Sequence, residues 1–224
     1  MIYEDNSNYK VEYIGEIFSK DLISYKIIFI GRYGVGKTSI INKLMKKKFY
    51  KEYEPTMSID IKSIQVKVND KIIQISIWDS CGNDKFALNT PNLFKNVSIA
   101  ILVYAINDKK SLNDLECWHN ILKEYSIGSI IFLIGNKSDL EEEREVKIEE
   151  GEEFKNNYAD IKIFFETSAL KDKNIDKLLE NIAISIYEKD KKLENEEDNS
   201  LKKTITIVKE DFTKKGKKKK KRFC

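Results

Sequence analysis

The segment from Gly31 to Thr38 reads Gly-Arg-Tyr-Gly-Val-Gly-Lys-Thr and fits the pattern G-x-x-x-x-G-K-[ST] at every fixed position. Glycines let the backbone fold around an oxyanion, and the loop amides and the following helix N-terminus point at it. Lys37 adds positive charge, and the hydroxyl of Thr38 suits Mg²⁺. The apolar run Tyr25 to Ile30 precedes the motif and a helix-like stretch, Ser39 to Lys47, follows it, which separates it from a chance glycine-rich turn. The sequence therefore predicts a strand, a phosphate-binding loop and a helix.

Buried strands and amphipathic helices alternate along the chain after residue 23. Four apolar runs read as strands of a mostly parallel sheet: Tyr25 to Ile30, Ile99 to Ile106, Ile130 to Ile134 and the short Lys162 to Phe165. Two further runs alternate apolar and polar residues around Asn69-Asp70 and predict a hairpin, which gives one antiparallel strand: Ile59 to Val68 and Ile72 to Trp78. Helices are predicted where apolar residues recur every three or four positions: Ser39 to Lys47, Ser111 to Tyr125, Ile148 to Tyr158 and Ile175 to Lys189. This alternation indicates an α/β fold.

Length and charge divide the chain into three parts. With 224 residues, 41% of them hydrophobic, it can bury one sizeable core. We expect an extension at residues 1–23, one domain at 24–189 and a flexible tail at 190–224. Residues 201–224 hold eleven basic and two acidic residues, a net +9, which leaves −6 for residues 1–200. The tail is therefore the part of the chain expected to bind a negatively charged surface.

The cysteines and the apolar segments indicate the compartment. The three cysteines are too few and too widely spaced for a disulfide framework or a zinc site, which fits a reducing cytosol: Cys81, Cys117 and Cys224. No secretory or transit sequence is legible, and no window of 18 apolar residues predicts a membrane span. The single histidine, His119, is expected at a surface or an interface.

Two further motifs follow predicted strands. Asp79-Ser80-Cys81-Gly82 comes after the strand ending at Trp78 and places a carboxylate where it could hold Mg²⁺ and a glycine amide near a γ-phosphate. By itself this is equally an ordinary turn. Asn136-Lys137-Ser138-Asp139 follows another strand, and an Asp carboxylate is an acceptor that suits the paired N–H donors of guanine. Thr167-Ser168-Ala169 would bring a backbone amide to the guanine O6 atom.

These four motifs, in this order, resemble the Ras superfamily of small GTPases over residues 24–189. Two segments resemble the Rab branch: Pro55 to Ile61, similar to its effector segment, and Trp78 to Phe86, similar to W-D-T-A-G-Q-E-R-F. The resemblance implies a P-loop G-domain whose sheet has six strands, five parallel and one antiparallel, flanked by five helices. It also implies a monomeric molecular switch that binds GTP and GDP with Mg²⁺, hydrolyses GTP and recruits effectors in membrane trafficking.

The resemblance also assigns roles to individual residues. Lys37, Thr56 and Asn83 are the expected catalytic residues. Mg²⁺ is expected on Thr38, Thr56 and Asp79. The nucleotide is expected on Gly31, Tyr33, Gly34, Val35, Gly36, Lys37, Thr38, Ser39, Phe49, Tyr53, Pro55, Thr56, Gly82, Asn136, Lys137, Asp139, Ser168, Ala169 and Leu170. Phe49 is expected to stack on the guanine, although it equally suits a core position. Effectors, exchange factors and GTPase-activating proteins are expected to contact Tyr53 to Ile61 and Asp79 to Phe94. In and next to these segments Ile61, Trp78 and Phe94 are expected to form an exposed apolar triad, and the alternative is that Ile61 and Phe94 pack in the core.

Two departures from the family pattern fall on the chemistry. Asn83 stands where the family has a water-positioning glutamine, and its side chain is one methylene shorter. A shortfall of about 1 Å in a catalytic group costs on the order of a hundredfold in rate. Tyr33 stands where the family has Gly, Ser or Ala, so a ring either crowds the γ-phosphate or swings outward. We expect hydrolysis to be slow. A hydrolysis-deficient GTP-binding scaffold and a P-loop ATPase or kinase are the alternatives, and Asp139 argues against the latter.

The C-terminus combines six consecutive basic residues, Lys217 to Arg222, with a terminal Cys224. A lipid on Cys224 together with the basic run would give the two signals that stable membrane anchoring needs. The sequence is not a C-a-a-X box, and the paired cysteines of Rab tails are absent from it. The predicted location is the cytosolic face of an endomembrane, without a nucleic-acid partner. The competing interpretation is a nuclear-localisation or nucleic-acid-binding run.

Overall fold

Seven strands form one mixed sheet in the computed structural model, which describes residues 8–49, 56, 58–81 and 91–196. The strands are β1 (Val11–Gly15), β2 (Ser24–Ile30), β3 (Asp60–Val68), β4 (Lys71–Asp79), β5 (Val97–Ala105), β6 (Ile130–Asn136) and β7 (Ile161–Glu166). Their order across the sheet is β1-β3-β4-β2-β5-β6-β7. The predicted α/β class is confirmed.

Five neighbouring strands run parallel, in the order β4, β2, β5, β6 and β7, and β3 pairs antiparallel with β4. The predicted hairpin is therefore present, with Val68 opposite Lys71 at its turn. Asn69 in the turn has φ of 53°, a left-handed conformation that Asn tolerates better than most residues. The central strand β5 is buried along nearly its whole length because helices cover both faces of a parallel sheet.

Five α-helical segments lie among the described residues: α1 (Lys37–Leu44), α2 (Lys109–Asn113), α3 (Leu115–Tyr125), α4 (Ile148–Asn157) and α5, residues 175–196. Short 3-10 helices occupy Pro91–Phe94 and Glu141–Glu143. The single helix predicted over Ser111 to Tyr125 is two helices that meet at Asp114, which is the C-cap of α2 and the N-cap of α3.

The core follows the alternation of side chains along the strands. On β2, Ile28 and Ile30 belong to a cluster that includes Trp118 and Leu122 of α3. Ile27 and Phe29 point to the opposite face and are equally buried. A strand in the middle of a two-layered α/β core must be apolar at every position, and this explains the continuous run that predicted it.

The sheet has one strand more than the six predicted, and a second antiparallel pairing. Val11 to Gly15, which the sequence assigns to the N-terminal extension, pair antiparallel with β3, from Val11 opposite Val68 to Gly15 opposite Gln65. The backbone of Lys10 also exchanges two hydrogen bonds with Asn69, through the Asn69 amide and its Oδ1 atom. The edge strand β3 gains hydrogen-bonding partners for its backbone, which is the reason an extension pairs there.

The chain between β1 and β2, residues 16–23, is tied to the sheet by Gln74 of β4. The backbone N–H of Ser19 donates to Gln74 Oε1 at 2.6 Å, and Gln74 Nε2 donates back to the Ser19 carbonyl at 3.1 Å. Gln65 Nε2 donates to the same Gln74 oxygen at 3.3 Å. Gln74 is fully buried, so this amide satisfies its own polar atoms by holding the segment in place. We call residues 16–23 the N-terminal strap.

The chain separates into two compact units, Met1–Ile184 and Ser185–Cys224, with the boundary inside α5. In the second unit, residues 185–196 are helical. The division into residues 1–23, 24–189 and 190–224 stays a prediction. Among the described residues, every helix is too short or too polar to cross a membrane.

Candidate nucleotide-binding site

The loop between β2 and α1 depends on glycines at two crowded positions. Gly36 is the N-cap of α1 and has φ of 95°, a left-handed conformation that disfavours side chains. A Cβ atom on Gly36 would lie 2.4 Å from Nδ2 of Asn136, and one on Gly31 would lie 2.1 Å from the carbonyl oxygen of Val103. The loop therefore packs its own backbone against the ends of β5 and β6. Gly34, at φ of 76°, has no described atom within 4 Å of such a Cβ.

Lys37 is the first residue of α1 and is 95% buried. Its Nζ atom donates to the carbonyl of Gly31 at 2.8 Å and to that of Arg32 at 2.9 Å. The ammonium is thus held inside the loop that surrounds it. The charge lies at the N-terminal end of a helix, whose free amides favour an anion at the same place.

Three oxygen-bearing side chains meet beside this loop. Thr38 Oγ1 donates to Asp79 Oδ2 at 2.6 Å and lies 3.0 Å from Thr56 Oγ1. Asp79 ends β4 and is 1% exposed, and its other oxygen, Oδ1, is buried without a hydrogen-bond partner among the described residues. Burial raises the pKa of Asp79 above its usual range, against the opposing effect of the Thr38 hydroxyl. Such a carboxylate oxygen requires a cation or a donor.

This donor set fits Mg²⁺. Mg²⁺ prefers oxygen ligands in octahedral geometry and is typically bound by one or two carboxylates together with substrate phosphates. Thr38, Thr56 and Asp79 supply two hydroxyls and one carboxylate, and the loop that would carry the phosphates adjoins them. In the described part of the chain no group of three His, Cys, Asp or Glu side chains is placed to hold a metal ion. The site therefore suits a metal that a ligand helps to coordinate.

Asn136, at the end of β6, connects the phosphate-binding loop to the loop after β7. Its Nδ2 donates to the Val35 carbonyl at 2.9 Å. Its Oδ1 accepts from Thr167 Oγ1 at 3.2 Å and from the Ala169 amide at 3.3 Å. Asn136 is 1% exposed, so these bonds form in a buried setting where each broken partner is costly. One amide therefore fixes the relative positions of two loops.

Asp139 lies three residues further on, and the Ser168 hydroxyl donates to its Oδ1 atom. Lys137 adopts a left-handed conformation with φ of 66°, and the Ser138 amide bonds the Thr167 carbonyl at 3.0 Å. The two loops thus approach each other through backbone as well as side chains. Leu170, next in the chain after Ala169, is 41% exposed.

A comparison with family models finds the family described as Ras over residues 26–188. The chain belongs to the Ras family. It is a small GTPase that binds guanine nucleotide, and the α/β sheet with its loops at the carboxyl ends of the strands is the Ras-like G-domain. Members of this family bind GTP and GDP with Mg²⁺ and hydrolyse GTP.

Several residues predicted for the site lie outside the described residues: Tyr53, Pro55, Gly82, Asn83 and Cys224. Phe49 is half-buried, and its contact with a base stays a prediction. Val35 is buried and Ser39 is half-buried in the first turn of α1. The structure thus brings together the loop, the oxygen-bearing side chains of Thr38, Thr56 and Asp79, and the Asn136 and Asp139 side chains of this Ras-family protein.

The predicted partner segments differ in exposure. Phe94 is fully buried and packs in the core cluster, whereas Ile61 is 52% exposed and Trp78 is partly buried. The three residues therefore do not form one exposed apolar triad, and the alternative of core packing holds for Phe94 only. Lys26 Nζ lies 3.8 Å from the Trp78 ring centroid and donates to the Leu93 carbonyl at 2.8 Å.

Two features of this domain were missed or misjudged from the sequence. His119 is not on the surface: it is 1% exposed, its Nε2 lies 2.9 and 3.0 Å from the two carboxylate oxygens of Asp160, and its ring contacts Tyr158. The amphipathic position of His119 on α3 faces the core, and a carboxylate 41 residues away pairs with Nε2, whereas Nδ1 is buried without a hydrogen-bond partner among the described residues. The other feature is Arg32, which pairs with Asp108 and Asp114. No local pattern in the sequence signals either pairing.

Proposed function

We propose that this Ras-family protein is a Rab-like switch that binds GTP with Mg²⁺, hydrolyses it slowly and recruits effectors at a membrane. The observation that carries the nucleotide and metal part is the unpartnered Asp79 Oδ1 beside Thr38 and Thr56. A buried carboxylate with one free oxygen next to a phosphate-binding loop has a physical use when a divalent cation and a phosphate occupy the space.

In this proposal the residues of the nucleotide-binding site have the following roles. The loop amides, Lys37 and the N-terminus of α1 hold the phosphates and stabilise the charge that develops on the transferring phosphoryl group. Thr38, Thr56 and Asp79 would hold Mg²⁺, which would neutralise part of the phosphate charge. Asp139 accepts the N–H donors of guanine through the carboxylate that Ser168 orients. Asn136 holds the phosphate-binding loop and the loop after β7 in fixed relative positions.

The slow hydrolysis rests chiefly on Asn83, and Tyr33 adds to it only where its ring crowds the γ-phosphate. Asn83 presents the same amide as a glutamine on a shorter side chain, so the attacking water is held less well. Tyr33 brings a ring to the loop position where the family has a small residue. The order of Tyr53 to Ile61 and of Asp79 to Phe94 would then depend on the γ-phosphate, which couples hydrolysis to partner binding. The alternative is a GTP-loaded scaffold without useful turnover.

The first experiment is nucleotide binding. Protein stripped with EDTA and re-equilibrated with Mg²⁺ should bind GDP and GTP and should discriminate against ATP. It should also bind ITP more weakly than GTP, because ITP lacks the 2-amino donor that Asp139 is proposed to accept. A loss of one charge-assisted hydrogen bond of about 1.5–3 kcal/mol corresponds to roughly a tenfold to a hundredfold weaker binding. Equal binding of ITP and GTP would remove Asp139 from the proposed role.

The second experiment is single-turnover hydrolysis of bound GTP at saturating Mg²⁺. We expect a slow rate that Asn83→Gln raises. No measurable turnover in either form would favour the scaffold, and a fast rate unchanged by Asn83→Gln would contradict the assigned cause.

The membrane part of the proposal rests on the basic run Lys217 to Arg222 and on Cys224. Each basic residue near an anionic leaflet contributes about 1 kcal/mol, and a lipid on Cys224 would add the second signal. Mass spectrometry of Cys224 from native cells, together with imaging of the tagged chain and of Cys224→Ser, tests it. A thiol that is always unmodified, with an unchanged distribution, would favour the nuclear or nucleic-acid interpretation.

A further inference from the structure

Tyr33 is held from the side by the residue that precedes it. The ring is 59% exposed, Arg32 Nη2 donates to the Tyr33 hydroxyl at 3.3 Å, and the guanidinium carbon lies 5.0 Å from the ring centroid. A guanidinium at this distance attracts an aromatic ring as well as bonding its hydroxyl. These two contacts with Arg32 therefore favour one orientation of the Tyr33 side chain.

Arg32 is in turn fixed by two carboxylates on the helices that follow β5. Its Nη1 lies 3.4 Å from Asp114 Oδ2, and its Nε lies 4.0 Å from Asp108 Oδ2. Asp108 is the N-cap of α2 and accepts from the Ser111 amide, and Asp114 is the N-cap of α3. The side chain of Arg32 is 20% exposed, so the pairs are partly shielded from solvent. Both carboxylates therefore belong to rigid helix starts rather than to a loop.

The backbone that leads into Tyr33 is also restrained. Lys37 Nζ bonds the carbonyls of Gly31 and Arg32, which immediately precede Tyr33. With this backbone fixed, the ring can move only by rotating its side chain. One direction is toward α2 and α3, where Arg32 holds it, and the other is over the phosphates that the loop surrounds.

We propose that Arg32, anchored by Asp114 and Asp108, is a positioning residue that holds the Tyr33 ring on the α3 side of the loop and away from the γ-phosphate. This rests on the proposed function, because it requires GTP in the loop. It assigns the low rate of unassisted hydrolysis to Asn83 rather than to crowding by Tyr33. It also makes the rate sensitive to the Arg32–Asp114 pair, which is not among the residues proposed to bind the nucleotide or Mg²⁺.

A double-mutant cycle tests the proposal. Arg32→Met removes the guanidinium and keeps most of the side-chain volume, and Asp114→Asn breaks the anchor without altering the loop. Each change is made alone and together with Tyr33→Ala. In the presence of Tyr33, each should slow single-turnover hydrolysis by about twofold to fivefold. This is the change expected when the weak attraction between Arg32 and the Tyr33 ring is lost and the ring spends more time near the γ-phosphate. In the Tyr33→Ala background neither should change the rate by more than the error of the assay.

Two controls exclude a merely structural effect. Asp114→Asn should leave the affinity for GDP unchanged, since Asp114 is outside the proposed nucleotide site. Glu153→Gln, at an exposed position of α4, changes the net charge by the same amount and should leave hydrolysis unchanged. Equal slowing by Asp114→Asn with and without the Tyr33 ring would overturn the proposal, and so would faster hydrolysis in Arg32→Met.

A second measurement does not depend on turnover. The ³¹P resonance of the γ-phosphate in bound GMPPNP should shift when Arg32→Met frees the ring, because an aromatic ring nearby alters the local magnetic field. The shift should disappear when Tyr33→Ala is added. If the spectra with and without Arg32→Met coincide, the tether does not set the ring position. If GMPPNP does not bind at all, the proposed function itself fails, so the two failures are distinguishable.

Discussion

Gly36→Ala and Gly34→Ala form a matched pair that separates backbone strain from steric contact in the phosphate-binding loop. Both glycines have positive φ, 95° for Gly36 and 76° for Gly34. Each alanine therefore costs about 1–2 kcal/mol of stability for the left-handed conformation alone. Only the Cβ on Gly36 meets another group, Nδ2 of Asn136 at 2.4 Å.

The extra cost of Gly36→Ala follows from the position of Asn136. A separation of 2.4 Å cannot be kept, and Asn136 is buried with bonds to Val35, Thr167 and Ala169. If the amide turns away, the bond to the Val35 carbonyl is lost, and an unsatisfied buried group costs about 1–3 kcal/mol. We expect Gly36→Ala to lose about 2–5 kcal/mol in total, against about 1–2 kcal/mol for Gly34→Ala.

The assay is urea unfolding of both variants at one fixed concentration of GDP and Mg²⁺. GDP affinity is measured separately, so that the part of the stability due to ligand binding can be subtracted. The GDP affinity of Gly36→Ala should also fall, because Asn136 positions the loop that carries Ala169 as well as the phosphate-binding loop. Equal corrected losses in the two variants would refute the reasoning, since the contact with Asn136 is the only difference that it invokes.

Three further predictions follow from contacts of single side chains. Gln74→Met keeps the volume of a fully buried side chain but removes its hydrogen bonds to the Ser19 backbone, so the free energy of unfolding measured in urea should fall by about 1–3 kcal/mol. Gln65→Met loses one hydrogen bond and should lower it by less. Equal losses in the two variants would contradict the role of the contact with the N-terminal strap. Asp79→Asn removes a carboxylate proposed to hold Mg²⁺, so the rate of GDP release should depend less on Mg²⁺. Burial raises the pKa of Asp79, which means that the carboxylate charge is unfavourable in the fold, so stability in EDTA should not fall in the variant. A large loss of stability in EDTA would argue against this assignment. Asp139→Asn removes the charge from the acceptor for guanine, so the preference for GTP over ITP should shrink by about tenfold or more in competition binding, and an unchanged preference would count against the assignment.

The parts of the site that the sequence predicts are those in which chemistry and local geometry coincide. Gly31 to Thr38 is a contiguous motif between a strand and a helix, and Asp79 and Asn136 end strands that apolar runs make legible. Carboxyl ends of parallel strands meet at one edge of a sheet, so residues far apart in the chain could be placed together.

The parts that the sequence does not predict depend on pairings without a local signal. β1 is five residues long and half exposed, and its residues pair with residues from Gln65 to Val68, far along the chain. Arg32 and Asp114 are 82 residues apart, and a lone arginine in a loop indicates no partner. His119 is read as a surface residue because its partner, Asp160, lies in another part of the chain. Long-range side-chain contacts become visible only when the topology is known.

The order of strands in the sheet determines the order of the loops along the site. Asp79 ends β4, the phosphate-binding loop follows β2, Asn136 ends β6, and the loop with Ser168 follows β7. In the sheet these strands stand in the order β4, β2, β5, β6, β7, so the proposed metal ligands, the phosphate-binding loop and the loops proposed to recognise the base follow one another along a single edge. Four strand spacings of about 4.8 Å separate the two ends, roughly 19 Å. A nucleotide bound as proposed would therefore lie across the strands, and Asn136 is bonded to the loops on both sides, to the Val35 carbonyl and to the Ala169 amide.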